Sequence, residues 1–269
     1  MIRTGQTLTV EEELYCTKYE LEILSGIVNL NMLERWLPGF CGAQTHKEHV
    51  HRYDWVKEFV KDKTVLDIAC GTGYGSYKLA AEGKASEVTA CDIDESTVQY
   101  ASIRNRHPKI TFETRDAETF EFSQKFDVIT SFETIEHLRK PLDFLRNVDR
   151  VLSSDGFFFV STPISNVPEE KNPNNIYHVT EWGFRRFQEL IAGHFEISGI
   201  YLQLYKFPKP INMKLSARIS RRLGITRYTS EPLIEKLEPT KWQPSELPEE
   251  KIGTEWKGYQ ILKCKKKSN

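Results

Sequence analysis

From residue 63 onward, short apolar runs alternate with longer stretches whose apolar residues recur at helical spacing. A short apolar run is typical of a buried strand, and apolar residues three or four positions apart are typical of a helix with one buried face. The predicted strands cover residues 64–68, 87–91, 110–114, 126–131 and 156–160, and the predicted helices cover 76–82, 95–104, 141–152 and 181–192. This alternation predicts an α/β fold in which helices cover both faces of a parallel sheet.

The two ends of the chain depart from this alternation. Residues 10–36 and 46–60 have the spacing of helices, whereas 195–205 and 258–264 are β-rich. The stretch between those β-rich runs is rich in proline and charge, so we predict two final antiparallel strands separated by an insertion. The predicted organisation is a helical lead (1–60), a core (61–206), an insertion (207–257) that covers the active site, and a final strand with a basic tail (258–269).

Composition narrows the class of protein. Of the 269 residues, 39% are apolar and 12% aromatic, which is enough for a sizeable core and excludes global disorder. The 37 Lys and Arg residues balance 38 Asp and Glu residues. A protein that binds nucleic acid mainly through the phosphates is usually more basic, so the charge balance argues against a nucleic-acid partner. The sequence has no long apolar run of membrane-spanning length, so no membrane partner is expected. Five scattered cysteines without a CxxC pair predict free thiols and a cytoplasmic location.

A glycine-rich loop follows the first predicted strand. The run Asp67-Ile-Ala-Cys-Gly71-Thr-Gly73-Tyr-Gly75 joins a strand to a helix, and a backbone without Cβ atoms can turn sharply there and approach a ligand. A dinucleotide site has the spacing G-x-G-x-x-G, but position 76 of this chain is Ser. The loop therefore predicts a ligand site of another kind.

The loop resembles the first motif of class I S-adenosylmethionine-dependent methyltransferases. Asp92 ends the second predicted strand, where that family binds the cofactor's ribose, and Asp116 follows the third, near the adenine. The resemblance implies a Rossmann-like, seven-stranded, mostly parallel sheet with helices on both faces and an antiparallel last strand. It implies S-adenosylmethionine as cofactor, held by Arg52, Tyr53, Asp67, Ala69, Gly71, Gly73, Asp92, Ile93, Asp116, Ala117 and Phe132. Arg52 is the expected partner of the methionine carboxylate, with an exposed surface arginine as the alternative.

An acidic segment with a histidine follows the fourth predicted strand. If the chain turns helical there, Glu133, Glu136 and His137 lie at i, i+3 and i+4 on one face. The carboxyl ends of parallel strands form the rim of the active site in this fold. Two carboxylates and an imidazole at that rim could bind a divalent metal, or one of them could act as a general base.

The segment also resembles metal-dependent O-methyltransferases, which combine E-x-x-E-H with a later histidine. Carried over to this chain, that resemblance implies metal ligands Glu133, Glu136, His137 and His178, with Mg²⁺ or Mn²⁺ as the ion. Metal-free sugar and polyketide methyltransferases are similar here too, and in them His137 would act as the base alone. The predicted catalytic residues are His137 and Glu136.

The expected acceptor is a hydroxyl of a sugar, nucleotide-sugar or other sugar-containing metabolite. This rests on the resemblance of 34–39, 51–53, 132–137 and 161–163 to methyltransferases of polysaccharide pathways. A rival hypothesis is metal-dependent 2′-O-methylation of a 3′-terminal RNA ribose, which predicts that the arginines of 218–227 and the lysines of 263–267 form one basic face. Two further hypotheses are a phenol or catechol O-methyltransferase and a cofactor-binding module without catalysis.

Overall fold

The computed structural model describes residues 7–28, 37, 43–206, 233–237 and 249–267. Six helices occur in these residues: α1 (Val10–Val28), α2 (Ala43–Val56), α3 (Tyr74–Ala81), α4 (Glu95–Arg104), α5 (Pro141–Val151) and α6 (Phe184–Ala192). The strands are β1 (Thr64–Ile68), β2 (Glu87–Asp92), β3 (Ile110–Thr114), β4 (Phe126–Ser131), β5 (Leu152–Ser165), β6 (Glu169–Lys171), β7 (Thr180–Gly183), β8 (Phe195–Lys206), β9 (Leu233–Leu237) and β10 (Trp256–Lys266).

The strands form one mixed sheet in the order β3-β2-β1-β4-β5-β10-β8-β9. Strands β1 to β5 pair in parallel, and β10 runs antiparallel to both of its neighbours, β5 and β8. The predicted mostly parallel sheet with an antiparallel last strand is therefore confirmed. Three short strands add to the seven predicted ones: β9 extends the edge beside β8, and β6 and β7 form a small ribbon on the end of β5.

The core lies on both faces of this sheet. Consecutive strand residues point to opposite faces, so Val65 and Phe159 pack with α2 and α3, whereas Leu66 and Phe158 pack with α5 and α6. Strands covered on both sides need apolar residues in both alternating positions, which is why they read as nearly continuous apolar runs in the sequence.

Helix α1 packs against α4. The Tyr19 ring stacks on Tyr100 with centroids 4.4 Å apart, and the Tyr19 hydroxyl lies 2.7 Å from Thr97 Oγ1. Arg104 forms ion pairs with Glu13 and Glu20 of α1. The helical lead is thus attached to the core along one face of α4, at the level of β2 and β3.

The helix predicted over 181–192 and the strand predicted over 156–160 differ from the structure, where the strand β5 covers Leu152–Ser165. The helix predicted to begin at residue 181 begins instead at Phe184, and residues 180–183 form β7, because Trp182 pairs with both β5 and β6. The described parts of the predicted insertion are β9 and 249–257. Gly253 lies against the Ser165 carbonyl at the carboxyl end of β5, where an added Cβ would approach that oxygen to 2.5 Å. The arginines of 218–227 lie outside the described residues, and the insertion's covering role stays a prediction.

No helix in the described ranges is long and apolar enough to cross a bilayer. Cys16, Cys70, Cys91 and Cys264 are buried free thiols.

Candidate active site

The β1–α3 loop adopts left-handed backbone at three positions. Ala69, Gly71 and Gly73 have φ values of 59°, 55° and 77°. A Cβ at Gly73 would lie 2.8 Å from both Ala101 and Phe112, so this glycine allows α4 and β3 to approach the loop. At Gly71, in contrast, no atom lies within 4 Å of the Cβ position. The loop therefore leaves an open cradle at Gly71 that a side chain would fill and a ligand can use.

Asp67 and Tyr53 lie beneath this loop. The Asp67 carboxylate is fully buried and accepts hydrogen bonds from Ser76 Oγ at 2.6 Å, Thr130 Oγ1 at 2.7 Å and the Tyr53 hydroxyl at 3.1 Å. Burial raises the pKa of Asp67 to about 6, and the three hydroxyl donors limit that rise. The Tyr53 ring packs directly beside Gly75. Both residues, predicted as cofactor-binding, hold the loop in shape from below.

The other predicted cofactor residues surround the cradle at the carboxyl ends of β2, β3 and β4. Asp92 accepts hydrogen bonds from the backbone N–H groups of Gly71 at 3.0 Å and Asp94 at 3.1 Å, which aim its carboxylate across the loop. Ile93 beside it is 67% exposed, an apolar side chain available to pack against a ligand. Asp116 Oδ1 accepts from the Glu118 N–H at 2.8 Å. Ala117 and Phe132 are buried.

Arg52 is buried, so the alternative of an exposed surface arginine is wrong. Its Nε donates to Gln203 Oε1 at 2.9 Å, and its guanidinium lies 4.4 Å from the Tyr259 ring centroid. Glu133 Oε1 lies 3.5 Å from Nη1, and neither Nη1 nor Nη2 has a hydrogen-bond partner among the described residues. Burial lowers the pKa of Arg52, but Glu133 together with Tyr259, Tyr74 and Glu48 outweighs this, and the pKa is raised. A buried cation whose Nη1 and Nη2 form no hydrogen bond among the described residues is suited to an anionic ligand group.

Glu133 does not lie on one helical face with Glu136 and His137, so that prediction is wrong. The helical turn is a single 3₁₀ turn, Ile135–His137, and Glu133 precedes it with a φ of 51°. This backbone turns the Glu133 side chain toward Arg52 and toward Ser161, whose Oγ donates to it at 2.8 Å. In the described part of the chain, Glu133 is therefore not part of the metal-compatible group, and its assignment as a metal ligand is not retained.

The other three predicted ligands do come together. Donor atoms of Glu136, His137 and His178 lie within 4.8 Å of one another. Glu136 is fully buried and accepts a 3.2 Å hydrogen bond from Thr162 Oγ1, and burial, with the nearby Glu133 charge, holds its pKa well above the ordinary value. His137 Nδ1 lies 2.9 Å from the Tyr177 carbonyl oxygen, and its ring meets His178 edge to face with centroids 4.9 Å apart.

His178 is held by two side chains to which the sequence had assigned no role. Its Nδ1 lies 2.6 Å from Glu181 Oε1, and its Nε2 lies 3.1 Å from Asn175 Nδ2. Asn175 Oδ1 accepts the Tyr177 N–H at 3.1 Å, which fixes the amide so that its NH₂ donates to His178. In the sequence, Asn175, His178 and Glu181 are spaced three residues apart, and this spacing could have indicated that they act together. Only His178 was predicted as a site residue.

Comparison with known proteins identifies the family. A model described as "Methyltransferase domain" matches residues 59–201, more than half of the chain. A probable S-adenosylmethionine-dependent methyltransferase of Mycolicibacterium smegmatis is 32% identical over 162 residues, 59% of this chain and 62% of that protein. Malonyl-[acyl-carrier protein] O-methyltransferase of Bacillus cereus is 35% identical over 98 residues, 36% of each. Ubiquinone biosynthesis O-methyltransferase of Nitrosomonas europaea is 28% identical over 137 residues, 47% of this chain and 56% of that protein.

These matches span less than two thirds of the length of the relatives. Among solved structures, one similar fold is the N-methyltransferase NodS of Bradyrhizobium japonicum in complex with S-adenosylhomocysteine. The superposition has a TM-score of 0.56 at 11% sequence identity, and it includes 94% of this chain and 99% of NodS. MccD has a TM-score of 0.57 at 16% identity and covers 81% of this chain and 97% of MccD. These likenesses show the fold, and the family match assigns it: the chain belongs to the methyltransferase domain family of class I S-adenosylmethionine-dependent methyltransferases.

Proposed function

We propose that this chain transfers a methyl group from S-adenosylmethionine to a hydroxyl of a small molecule, with a sugar or sugar-containing metabolite as the favoured acceptor. The observation that carries the proposal is the position of His137, directly after β4 at the carboxyl edge of the sheet, beside buried Glu136 and His178. The cradle at Gly71 follows β1, the neighbour of β4 in the sheet, so donor and acceptor groups would meet at one edge.

The proposed donor site uses the predicted residues. Arg52 would bind the methionine carboxylate through Nη1 and Nη2, which form no hydrogen bond among the described residues. Asp92 would accept hydrogen bonds from the ribose hydroxyls, and Ile93 with Ala117 would contact the adenine near Asp116. Bound S-adenosylmethionine supplies a methyl group activated by its positive sulfonium. The protein's own task is then to align the acceptor and to remove its proton.

His137 is the proposed general base. Its Nδ1–H donates to the Tyr177 carbonyl, which places the lone pair of the neutral ring on Nε2. As the acceptor oxygen forms its bond to the methyl carbon and the carbon–sulfur bond breaks, Nε2 takes the hydroxyl proton. His178, fixed by Asn175 and Glu181, holds the neighbouring ring in place edge to face.

A metal-dependent version would use Glu136, His137 and His178, and Mn²⁺ suits two imidazoles with one carboxylate at least as well as Mg²⁺. The residues fit it poorly, because His178 Nε2 accepts the Asn175 amide and Glu133 is turned toward Arg52. We therefore favour the metal-free base. The match to a ubiquinone biosynthesis O-methyltransferase keeps a phenol or catechol acceptor as the second candidate.

The test is transfer of labelled methyl groups to a panel of nucleotide-sugars, catechol, phenol and RNA, with and without EDTA. We expect transfer to a hydroxyl acceptor that EDTA does not abolish. His137→Ala should lower the rate by about 10²–10⁴ while leaving S-adenosylhomocysteine affinity unchanged. Near-wild-type turnover in that variant would refute the base. Loss of activity in EDTA, with partial recovery of His178→Ala by Mn²⁺, would establish the metal-dependent version.

A further inference from the structure

Three buried polar side chains carry polar atoms without a hydrogen-bond partner among the described residues. Gln260, Ser131 and Glu136 are each 0% exposed. In the part of the chain that the structure describes, no hydrogen-bond partner exists for Gln260 Nε2 and Oε1, Ser131 Oγ or Glu136 Oε1. Buried donors and acceptors without partners destabilise a fold, so a group of them indicates a function outside folding.

The strand register places these side chains on one face of the sheet. Gln260 pairs with Thr162 across β10 and β5, and paired residues project from the same face. Thr162 Oγ1 in turn donates to Glu136. Ser131 pairs with Val160, two positions before Thr162 and hence on that same face. We call Ser131, Glu136, Thr162 and Gln260 the Gln260 cluster.

The surroundings of the Gln260 cluster are apolar. Leu202, the β8 partner of Gln260, is fully buried, as are Val160 and Leu262 on the same face. Leu262 lies two positions after Gln260 and therefore on the same face of β10, so an apolar side chain fits the face on which Gln260 lies. Neither strand pairing nor the aliphatic neighbours supply a partner to the amide. Glu136 connects the cluster to His137 and His178, which are half-buried.

We propose that the Gln260 cluster recognises a second hydroxyl of the acceptor, next to the hydroxyl that is methylated. A primary amide donates and accepts hydrogen bonds, as a hydroxyl does, and Ser131 and Glu136 offer the same capacity. This inference rests on the proposed function and narrows it to acceptors with at least two hydroxyls.

The first test needs no acceptor. If the cluster awaits a ligand, Gln260→Met removes unpartnered atoms at similar volume, and the Tm of the full chain should stay unchanged or rise by about 2–4 °C. If a structural water instead satisfies the cluster, the same change removes its hydrogen bonds and lowers Tm. Gln188→Met is the control, because buried Gln188 has a partner, the Phe184 carbonyl at 3.1 Å, and this variant should lose stability. A lowered Tm in Gln260→Met would overturn the proposal.

The second test compares catechol with phenol, which differ by one neighbouring hydroxyl. Wild-type kcat/KM should favour catechol by at least about tenfold, and Gln260→Met should reduce that preference toward unity with unchanged S-adenosylhomocysteine affinity. An equal preference in both proteins overturns the proposal. If no probe in the acceptor panel is methylated, the proposed hydroxyl transfer has failed, and the Tm comparison alone decides whether the Gln260 cluster is a ligand site.

Discussion

Arg52 illustrates how single residues acquire their role in this protein. The sequence shows an arginine on a polar helix, which is most often a solvated residue. In the fold its guanidinium lies over the Tyr259 ring and donates a hydrogen bond to Gln203. These partners belong to β8 and β10, more than 150 positions further along the chain. No local pattern encodes that contact, so the burial of Arg52 could not be predicted.

Asp92 tests the donor site at the same scale. Asp92→Ala should weaken S-adenosylhomocysteine binding, because a charge-assisted hydrogen bond contributes about 1.5–3 kcal/mol and two ribose hydroxyls are involved. Calorimetry with the purified chain measures the change. Asp127→Ala is the control, since that carboxylate accepts from the Thr64 N–H at the opposite end of the sheet. Equal affinities in wild type and Asp92→Ala would show that Asp92 does not bind the ribose.

Asp67 makes a prediction about pH and stability. Its pKa rises from 3.8 to about 6 on burial, so the folded state binds the proton more tightly than the unfolded state. The contribution of Asp67 to the free energy of unfolding is therefore largest below pH 4 and falls by roughly 3 kcal/mol as pH rises to 6 and beyond. Asp67→Asn has no proton to lose. Urea unfolding measures the free energy of unfolding of wild type and variant. Between pH 4 and pH 7, the variant should gain roughly 3 kcal/mol of stability relative to wild type. A pH-independent difference would contradict it.

At the scale of elements, two glycines of the β1–α3 loop have different roles: we assign cofactor binding to Gly71 and packing to Gly73. A Cβ at Gly71 enters open space, whereas a Cβ at Gly73 meets Ala101 and Phe112 at 2.8 Å. Both glycines have positive φ, so each alanine variant carries a similar backbone strain of about 1–2 kcal/mol. Gly71→Ala should lose mainly S-adenosylhomocysteine affinity, and Gly73→Ala should lose the additional stability of the packed loop. Thermal unfolding and calorimetry on both variants compare the two losses, and the reverse ranking would refute the cradle at Gly71.

The elements also show where periodicity fails. The inner parallel strands β1, β2 and β4 are predictable because buried strands appear in the sequence as apolar runs. The helix predicted from residue 181 starts too early, because pairing of Trp182 with two other strands overrides the local helical pattern. Likewise, E-x-x-E-H predicts three residues on a helical face, but the left-handed backbone at Glu133 separates that residue from the other two.

For the whole molecule, the last strand is the critical one. β10 lies between β5 and β8, so removal of residues 256–269 leaves both neighbours without their partner and takes buried Ile261 and Leu262 out of the core. We expect this truncation to abolish cooperative unfolding followed by circular dichroism. Removal of 268–269 alone, beyond the end of β10, should leave the transition unchanged. A cooperative transition in the longer truncation would mean that the core folds without its last strand.

The sequence by itself determined the alternation of strands and helices, the glycine loop with Asp92 and Asp116, and the pairing of a carboxylate with histidines at the rim. The alternation follows from local propensity and hydrophobic periodicity, whereas the roles of Asp92, Asp116 and the histidines are what the resemblance to known methyltransferases implied. The tertiary structure alone decided that Arg52 is buried, that Glu133 faces Arg52 and that Gln260 pairs with Thr162, which donates to Glu136. Such contacts depend on sheet order and register, which bring together residues far apart in the chain and set which faces meet.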